Sequence, residues 1–310
     1  MRNGPETYLS VVVPVYQSGR SLEALIYRLE AVMAGISQQV ELILVDDGSS
    51  DNSWELICAA ARNSKYVKGI RLSRNFGQHH AIAAGLDVSR GRWTVVMDAD
   101  LQDLPEEIPH LLSKAMHGYD AVLARRINRK DSRWKIALSA GFYRFFRYMT
   151  GTPLDPAVGN FGVYHRKVIQ AILQMRESIR YFPAQVQWVG FRQGYFNVSH
   201  GKSAVSSSNY GFRSKFHLGL NALMAFSDKP LRLTIKLGFL IASIGFIFAL
   251  TTLIRYFTGS IVVPGYASLI VSVWVLAGLI LMTLGMVGLY VGKTFEGVKN
   301  RPLYVVDKKT

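Results

Sequence analysis

Short apolar runs alternate with longer amphipathic stretches through the first half of the chain, and this order predicts the elements. Strand-like runs fall at Leu9 to Tyr16, Val40 to Val45, Val67 to Leu72, Trp93 to Met97 and Ala121 to Ala124. Helix-like stretches lie around Leu22 to Met33, Trp54 to Ala61 and His79 to Val88, with Asp51 and Pro105 as helix-start signals. Strands that alternate with helices predict an α/β fold with a parallel sheet, and sites at the carboxyl ends of its strands.

The pattern changes after residue 230. Leu237 to Ile254 and Ile261 to Gly292 carry no charged side chain. Each can supply the roughly 20 apolar residues that cross a bilayer core of about 30 Å. A helical hairpin buried in a soluble core is the alternative, but two such runs in tandem favour two transmembrane helices. The N-terminal run Leu9 to Val15 is short and contains Pro14, so it reads as a strand rather than a signal peptide. Lys229, Arg232 and Lys236 precede the first span, and Lys293, Lys299, Arg301, Lys308 and Lys309 follow the second; the connection offers only Arg255. Because cations favour the cytoplasmic side, both termini are expected there, in a multi-pass protein of the inner (cytoplasmic) membrane.

Composition sharpens this division. The 310 residues are 49% hydrophobic, yet 36 Lys and Arg stand against 21 Asp and Glu, a net charge of +15. The apolar content excludes a disordered chain, and the single Cys58 excludes a disulfide scaffold. After Ala124 come Arg125, Arg126, Arg129, Lys130, Arg133 and Lys135, interleaved further on with Trp134, Phe142, Tyr143 and Phe146. A basic, aromatic segment can bind nucleic acid by neutralisation and stacking. In a chain with two spans, a helix lying in the headgroup plane is the more economical reading, so no nucleic acid is expected.

Two acidic clusters end predicted strands: Val45-Asp46-Asp47-Gly48-Ser49 and Met97-Asp98-Ala99-Asp100-Leu101-Gln102-Asp103. Carboxylates one residue apart can hold a hard divalent cation while leaving coordination positions open to phosphate oxygens. Alone, Asp-Ala-Asp reads equally well as a solvated turn. His79 and His80 diverge as adjacent helical residues and have no Cys or third His beside them, so they are read as helix-surface or packing residues.

Taken in order, Val11-Val12-Val13-Pro14-Val15-Tyr16, Asp46-Asp47-Gly48-Ser49, Arg74-Asn75-Phe76-Gly77 and Asp98-Ala99-Asp100-Leu101-Gln102-Asp103 resemble the family 2 glycosyltransferases of the GT-A fold. The closer resemblance is to the polyprenyl-phosphate glycosyltransferases, which include dolichol-phosphate mannose synthase and the bactoprenol-phosphate glucosyltransferases. It implies a GT-A catalytic domain over 1–209 with an amphipathic interface helix at 132–150, and a juxtamembrane amphipathic helix at 210–232. A two-span hairpin at 233–292 and a basic cytoplasmic tail at 293–310 complete the division.

The resemblance also implies roles. Asp98, Asp100 and Gln102 would hold Mg²⁺ or Mn²⁺, with Asp98 and Asp100 catalytic. Pro14, Tyr16, Asp46, Asp47 and Asp98 would bind a UDP- or GDP-type nucleotide sugar, Asp46 meeting the base or ribose. The Arg74 to Gly77 turn would offer backbone N–H groups to phosphate or serve only as a turn. Arg125 or Arg126, with Lys135, Ser139, Arg213, Ser214 and Lys215, would bind the phosphate of a polyprenyl acceptor. Where relatives often carry Gly-Asp, this chain has Gly159-Asn160, with Asp155 nearby. A phosphate monoester, with a second pKa of about 6, attacks without a protein base. Asn160 is therefore expected to shape the substrate and Asp155 to act electrostatically. The reaction so implied is inverting transfer of one sugar to polyprenyl phosphate. The alternatives are a glycolipid or polysaccharide acceptor, or a scaffold without activity. Gly278, Gly285, Gly288 and Gly292 permit close helix approach, and resemblance to tetrameric relatives implies a homo-oligomer.

Overall fold

The computed structural model describes residues 7–36, 39–126, 144, 148–149, 155, 157–175, 181–199, 229–258, 265–299 and 301–310. Most of the expected interface and juxtamembrane helices, together with Lys135, Ser139, Arg213, Ser214 and Lys215, lie outside the described residues. The chain runs through β1 (Leu9–Val15), α1 (Gly19–Ile36), β2 (Val40–Asp46), α2 (Ser53–Asn63), β3 (Val67–Leu72) and α3 (Gln78–Val88). There follow β4 (Trp93–Val96), α4 (Ile108–Met116), β5 (Ala121–Arg126), β6 (Val158–His165), α5 (Arg166–Gln174), α6 (Phe182–Trp188) and β7 (Gln193–Val198). Two long helices, α7 (Lys229–Phe257) and α8 (Tyr266–Val298), precede a last strand, β8 (Val306–Lys309).

The apolar run of β1, interrupted only by Ser10, has a simple cause: both its faces are covered, and every residue in it is buried. Val11, Val13 and Val15 share one core with Leu22, Leu25 and Leu29 of α1 and with Ile57 of α2. Val12, Ile43 and Val45 pack on the other side against Ala81, Ile82 and Ala84 of α3. Small residues let α3 approach closely. A Cβ at Gly85 would lie 2.4 Å from Val12 Cγ1 and 3.2 Å from Val45 Cγ2. Gly85→Ala is therefore expected to destabilise this unit by about 1–3 kcal/mol despite alanine's higher helix propensity, read as a lower melting temperature.

Helix starts follow local chemistry. Asp51 serves two of them: Oδ1 accepts from Ser53 N at 3.2 Å at the head of α2, and Oδ2 from Gly19 N at 3.0 Å at the head of α1. Pro105 opens a short 3₁₀ turn that leads into α4.

The eight strands lie in the order β7-β5-β6-β4-β1-β2-β3-β8. Parallel pairing holds from β4 through β1 and β2 to β3, as expected, and also between β5 and β7. The sheet as a whole is mixed rather than parallel. β6 runs antiparallel to both β4 and β5, and β8 runs antiparallel to β3. The end of the segment expected as a basic tail is a strand of the sheet. Ser73 N donates to Val305 O at 2.9 Å, Gly69 N to Thr310 Oγ1 at 2.8 Å, and Tyr304 Oη to Asp87 Oδ2 at 2.5 Å.

The chain divides into two compact units, one holding the sheet and its helices together with Pro302–Thr310, the other holding Leu218–Arg301 and Met149–Gly151. The first uncharged stretch lies within α7, of 29 residues, and 266–292 of the second lies within α8, of 33. Among the described residues, one segment, Val275–Phe295, is long and apolar enough to cross a membrane, with a mean hydropathy of 2.1 over 21 residues. Its large side chains, Leu281 and Leu284 among them, are exposed. Apolar surface of that extent calls for a lipid or protein cover.

Candidate active site

The ends of three neighbouring parallel strands meet at one edge of the sheet. Val15 lies opposite Asp46, Asp47 N donates to Val15 O at 2.9 Å, and Met97 N donates to Val12 O at 3.2 Å. Tyr16, the Asp46-Asp47 pair and Asp98 therefore emerge side by side, where ligands of open α/β sheets bind. Tyr16 is 46% exposed, whereas Pro14 lies within the buried strand.

Asp46 and Asp47 do different work. Asp46 is fully buried; Oδ1 accepts from Ser49 N at 3.0 Å, and Oδ2 faces Arg71 Nε at 3.3 Å without accepting a hydrogen bond. Arg71 also donates to Ser49 O and lies over the Trp54 ring. Asp47 fastens the next motif: Oδ1 accepts from Phe76 N at 2.8 Å and Oδ2 from Gly77 N at 2.9 Å. Of the two roles left open for this turn, phosphate donor or structural turn, these bonds favour the second, since both N–H groups are engaged by Asp47. Burial raises Asp47 above the usual carboxylate range, helped by Asp46 and opposed by the two N–H donors. Gly48, at φ 71°, brings the loop against the turn; a Cβ there would lie 2.6 Å from the Arg74 carbonyl carbon.

The second acidic loop is tightly folded. Leu101 adopts φ 63°, unusual for leucine, and Gln102 N donates to Asp100 Oδ1 at 3.0 Å. Asp98 Oδ1 is held by two amides, Gln78 Nε2 at 2.5 Å and Asn160 Nδ2 at 3.3 Å. Asn160, on β6, is thereby a neutral donor to the first carboxylate of the motif. Burial, then repulsion from Asp103 and Asp100, pushes Asp98 well above its ordinary value. Among the described residues no three His, Cys, Asp or Glu side chains form a ready cation site. The chemistry of Asp98, Asp100 and Gln102 nevertheless fits a hard dication: the donors are oxygens, and a positive charge would relieve the repulsion that raises Asp98.

The two arginines expected at the acceptor separate. Arg125 Nε pairs with Asp155 Oδ2 at 3.0 Å, and Asp155 Oδ1 accepts from Ala157 N. Arg126 Nη2 instead donates to Asp103 Oδ1 at 3.1 Å, beside the acidic loop. The acidic motif contains Asp103 without indicating its partner, and Gln78 belongs to none of the motifs. Both contacts join segments far apart in the chain, and for Gln78 the only available signal was its place at the start of α3.

His79 packs as expected. Its Nδ1 accepts from Phe182 N at 3.4 Å, and its ring meets Tyr181 edge-on. Burial, with His80 adjacent, lowers its pKa to about 4. Between that value and the unfolded value of about 6.5 the unfolded chain holds more protons, so this stabilisation is complete above pH 6.5 and is lost as pH falls toward 4. The wild-type melting temperature should drop more between pH 7 and pH 5 than that of His79→Gln, which cannot titrate.

A mixed sheet with nucleotide-type strand ends and a paired-carboxylate loop defines a GT-A-like glycosyltransferase fold. Residues 10–173 match the family described as Glycosyl transferase family 2, and the chain belongs to that family of enzymes. It is 36% identical over 310 residues, 99% of this chain and 95% of the relative, to the undecaprenyl-phosphate 4-deoxy-4-formamido-L-arabinose transferase of Aeromonas hydrophila. It is 35% identical over 96% of its length to an uncharacterized glycosyltransferase of Synechocystis, 94% of which is covered. Among solved structures, glucosyl-3-phosphoglycerate synthase from Mycobacterium tuberculosis, in complex with Mn²⁺ and UDP-glucose, shares the fold. The TM-score is 0.50 at 15% identity, over 71% of this chain and 77% of that one.

Proposed function

We propose that this chain is a membrane-bound, inverting transferase that moves one sugar from a nucleotide sugar to polyprenyl phosphate at the cytoplasmic leaflet. The observation that carries the reading is the full-length similarity, 36% over 99% of the chain, to a transferase named for undecaprenyl phosphate. The apolar segment Val275–Phe295 supports it, since an acceptor with a polyprenyl tail stays in the bilayer. In this reading α7 is the first span and α8 the second, and both termini are cytoplasmic.

Pro14, Tyr16, Asp46 and Asp47 form the nucleotide end of the donor site, with Asp98 toward the sugar diphosphate. Asp98, Asp100 and Gln102 hold Mg²⁺ or Mn²⁺, which when bound supplies Lewis-acid stabilisation of the departing nucleoside diphosphate. Lys135, Ser139, Arg213, Ser214 and Lys215 gather the acceptor phosphate together with Arg125, which Asp155 orients. An acceptor phosphate oxygen bonds to the anomeric carbon as the bond to the diphosphate oxygen breaks, and the electron pair leaves with the nucleoside diphosphate. The attacking phosphate is already largely ionised at neutral pH, so no side chain need take a proton. That is consistent with an amide, rather than a carboxylate, at Asn160.

The test is nucleoside diphosphate release by the purified full-length protein in detergent, with Mn²⁺ or Mg²⁺ and a panel of UDP- and GDP-sugars. Release with one donor that depends on added undecaprenyl phosphate supports the reading. Release that is indifferent to that lipid, or absent with every donor in a folded protein, sinks it.

A further inference from the structure

We propose that Asp103 is a positioning residue that pins Arg126 at the donor site, which assigns Arg126 to the leaving nucleoside diphosphate and leaves Arg125 to the acceptor. The inference rests on the glycosyl-transfer reading above and deepens it.

Asp103 closes the acidic motif yet is only 2% exposed, so it is not the solvated turn residue that its place in the loop suggests. A buried carboxylate needs partners, and both its oxygens have them. Oδ2 accepts from Asp98 N at 3.3 Å, and Oδ1 accepts from Arg126 Nη2 at 3.1 Å. One side chain therefore ties the backbone of the acidic loop to a guanidinium that arrives from β5. The arginine is fixed at its other end as well, where Arg126 N donates to Ala157 O at 2.9 Å.

The neighbouring strand makes room for this arrangement. A Cβ on Gly159 would lie 3.3 Å from Arg126 Nη2 and 3.6 Å from its Cζ. The missing side chain at 159 leaves the guanidinium its path, and the next residue, Asn160, reaches Asp98. Gly159 thus leaves space beside Arg126, and Asn160 holds Asp98.

Alternation along a strand explains why two adjacent arginines do not share a task. Arg125 turns to Asp155, while Arg126 turns to the loop. Three carboxylates, Asp98, Asp100 and Asp103, occupy that loop. The Arg126 charge acts on both Asp98 and Asp103, lowering the cost of gathering them. A guanidinium held in place has N–H groups to spare for phosphate oxygens, and it needs no reorganisation when a diphosphate arrives.

Calorimetric binding of Mn²⁺ with UDP, and of Mn²⁺ with GDP, to the full-length protein tests this without any lipid acceptor. For whichever nucleotide the wild type binds, Arg126→Gln should weaken affinity by at least about tenfold, as expected for a lost charge-assisted hydrogen bond. Asp103→Asn should weaken it in the same direction by a smaller factor, and the double variant should be no weaker than Arg126→Gln alone. Arg126→Lys, with the charge but not the fork, should fall between, and Arg125→Gln should leave nucleotide affinity unchanged. Melting curves establish that each variant is folded, with Asp103→Ser as the substitute if Asp103→Asn is not. Independent effects that multiply in the double variant would overturn the proposal, as would an Asp103 variant with wild-type affinity or a loss confined to Arg125→Gln. Because no polyprenyl phosphate is present, a wrong acceptor leaves these outcomes intact. A wild type that binds neither nucleotide removes the donor site and this proposal together.

Discussion

Asp100→Ala should lower turnover by about a thousandfold, roughly 4 kcal/mol of transition-state stabilisation, while the protein still folds and inserts into membranes. The two halves of this expectation have separate grounds. Asp100 is partly exposed, and its one described hydrogen bond, from Gln102 N, is local to the loop. Losing that bond costs the fold little, about 1 kcal/mol. Chemically, Asp100 is the one of the three carboxylates to which, among the described residues, no side chain donates: Asp98 is gripped by Gln78 and Asn160, and Asp103 by Arg126. It is the group best placed to change partners when a cation and diphosphate enter. Circular dichroism and membrane fractionation would establish the intact fold, and nucleoside diphosphate release the lost turnover. Activity within a few fold of wild type would remove Asp100 from the mechanism.

Asn160→Asp is the second substitution with a large expected effect, and it acts first on stability. Asn160 is only 8% exposed, and its amide donates to Asp98 Oδ1. Aspartate would exchange that donor for a fourth carboxylate, facing an oxygen already raised by burial and by two acidic neighbours. Without divalent cations the variant should lose about 2–4 kcal/mol, the scale of an uncompensated buried charge. Added Mn²⁺ should recover much of this, giving a larger thermal shift than in the wild type. Equal melting temperatures in EDTA for variant and wild type would contradict the role given to the amide. A change in donor-sugar selectivity would show in addition that residue 160 shapes the substrate.

How far the sequence reveals these features depends on the distance over which each is encoded. β1 and β2 were legible because burial on both faces leaves largely apolar runs, interrupted by Ser10 and Glu41, and α1 to α3 because their apolar spacing and Asp51 are local signals. The acidic motifs were legible as motifs, though the separate tasks of Asp46 and Asp47 were not. Asp47 meets Phe76 and Gly77 only because β2 and β3 are neighbours, a fact of sheet order rather than of pattern. Strand β8 had no local signal at all: Val306-Asp307-Lys308-Lys309 reads as a charged tail, and it becomes a strand because the edge of β3 offers unpaired backbone groups. The Asp103–Arg126 pair and the two amides on Asp98 belong to the same class. Each joins side chains whose meeting depends on the antiparallel insertion of β6 or on the approach of α3.

The central claim is that the acceptor atom is a phosphate oxygen of a polyprenyl chain. Its most direct test is mass spectrometry of the lipid product formed by full-length protein in vesicles containing either undecaprenyl phosphate or undecaprenol, with Mn²⁺ and the active nucleotide sugar. The account expects one new species, undecaprenyl phosphate plus a single sugar, in the first vesicles and none in the second. Sugar transferred to undecaprenol, to another lipid or to a growing glycan, with undecaprenyl phosphate left unmodified, would contradict it.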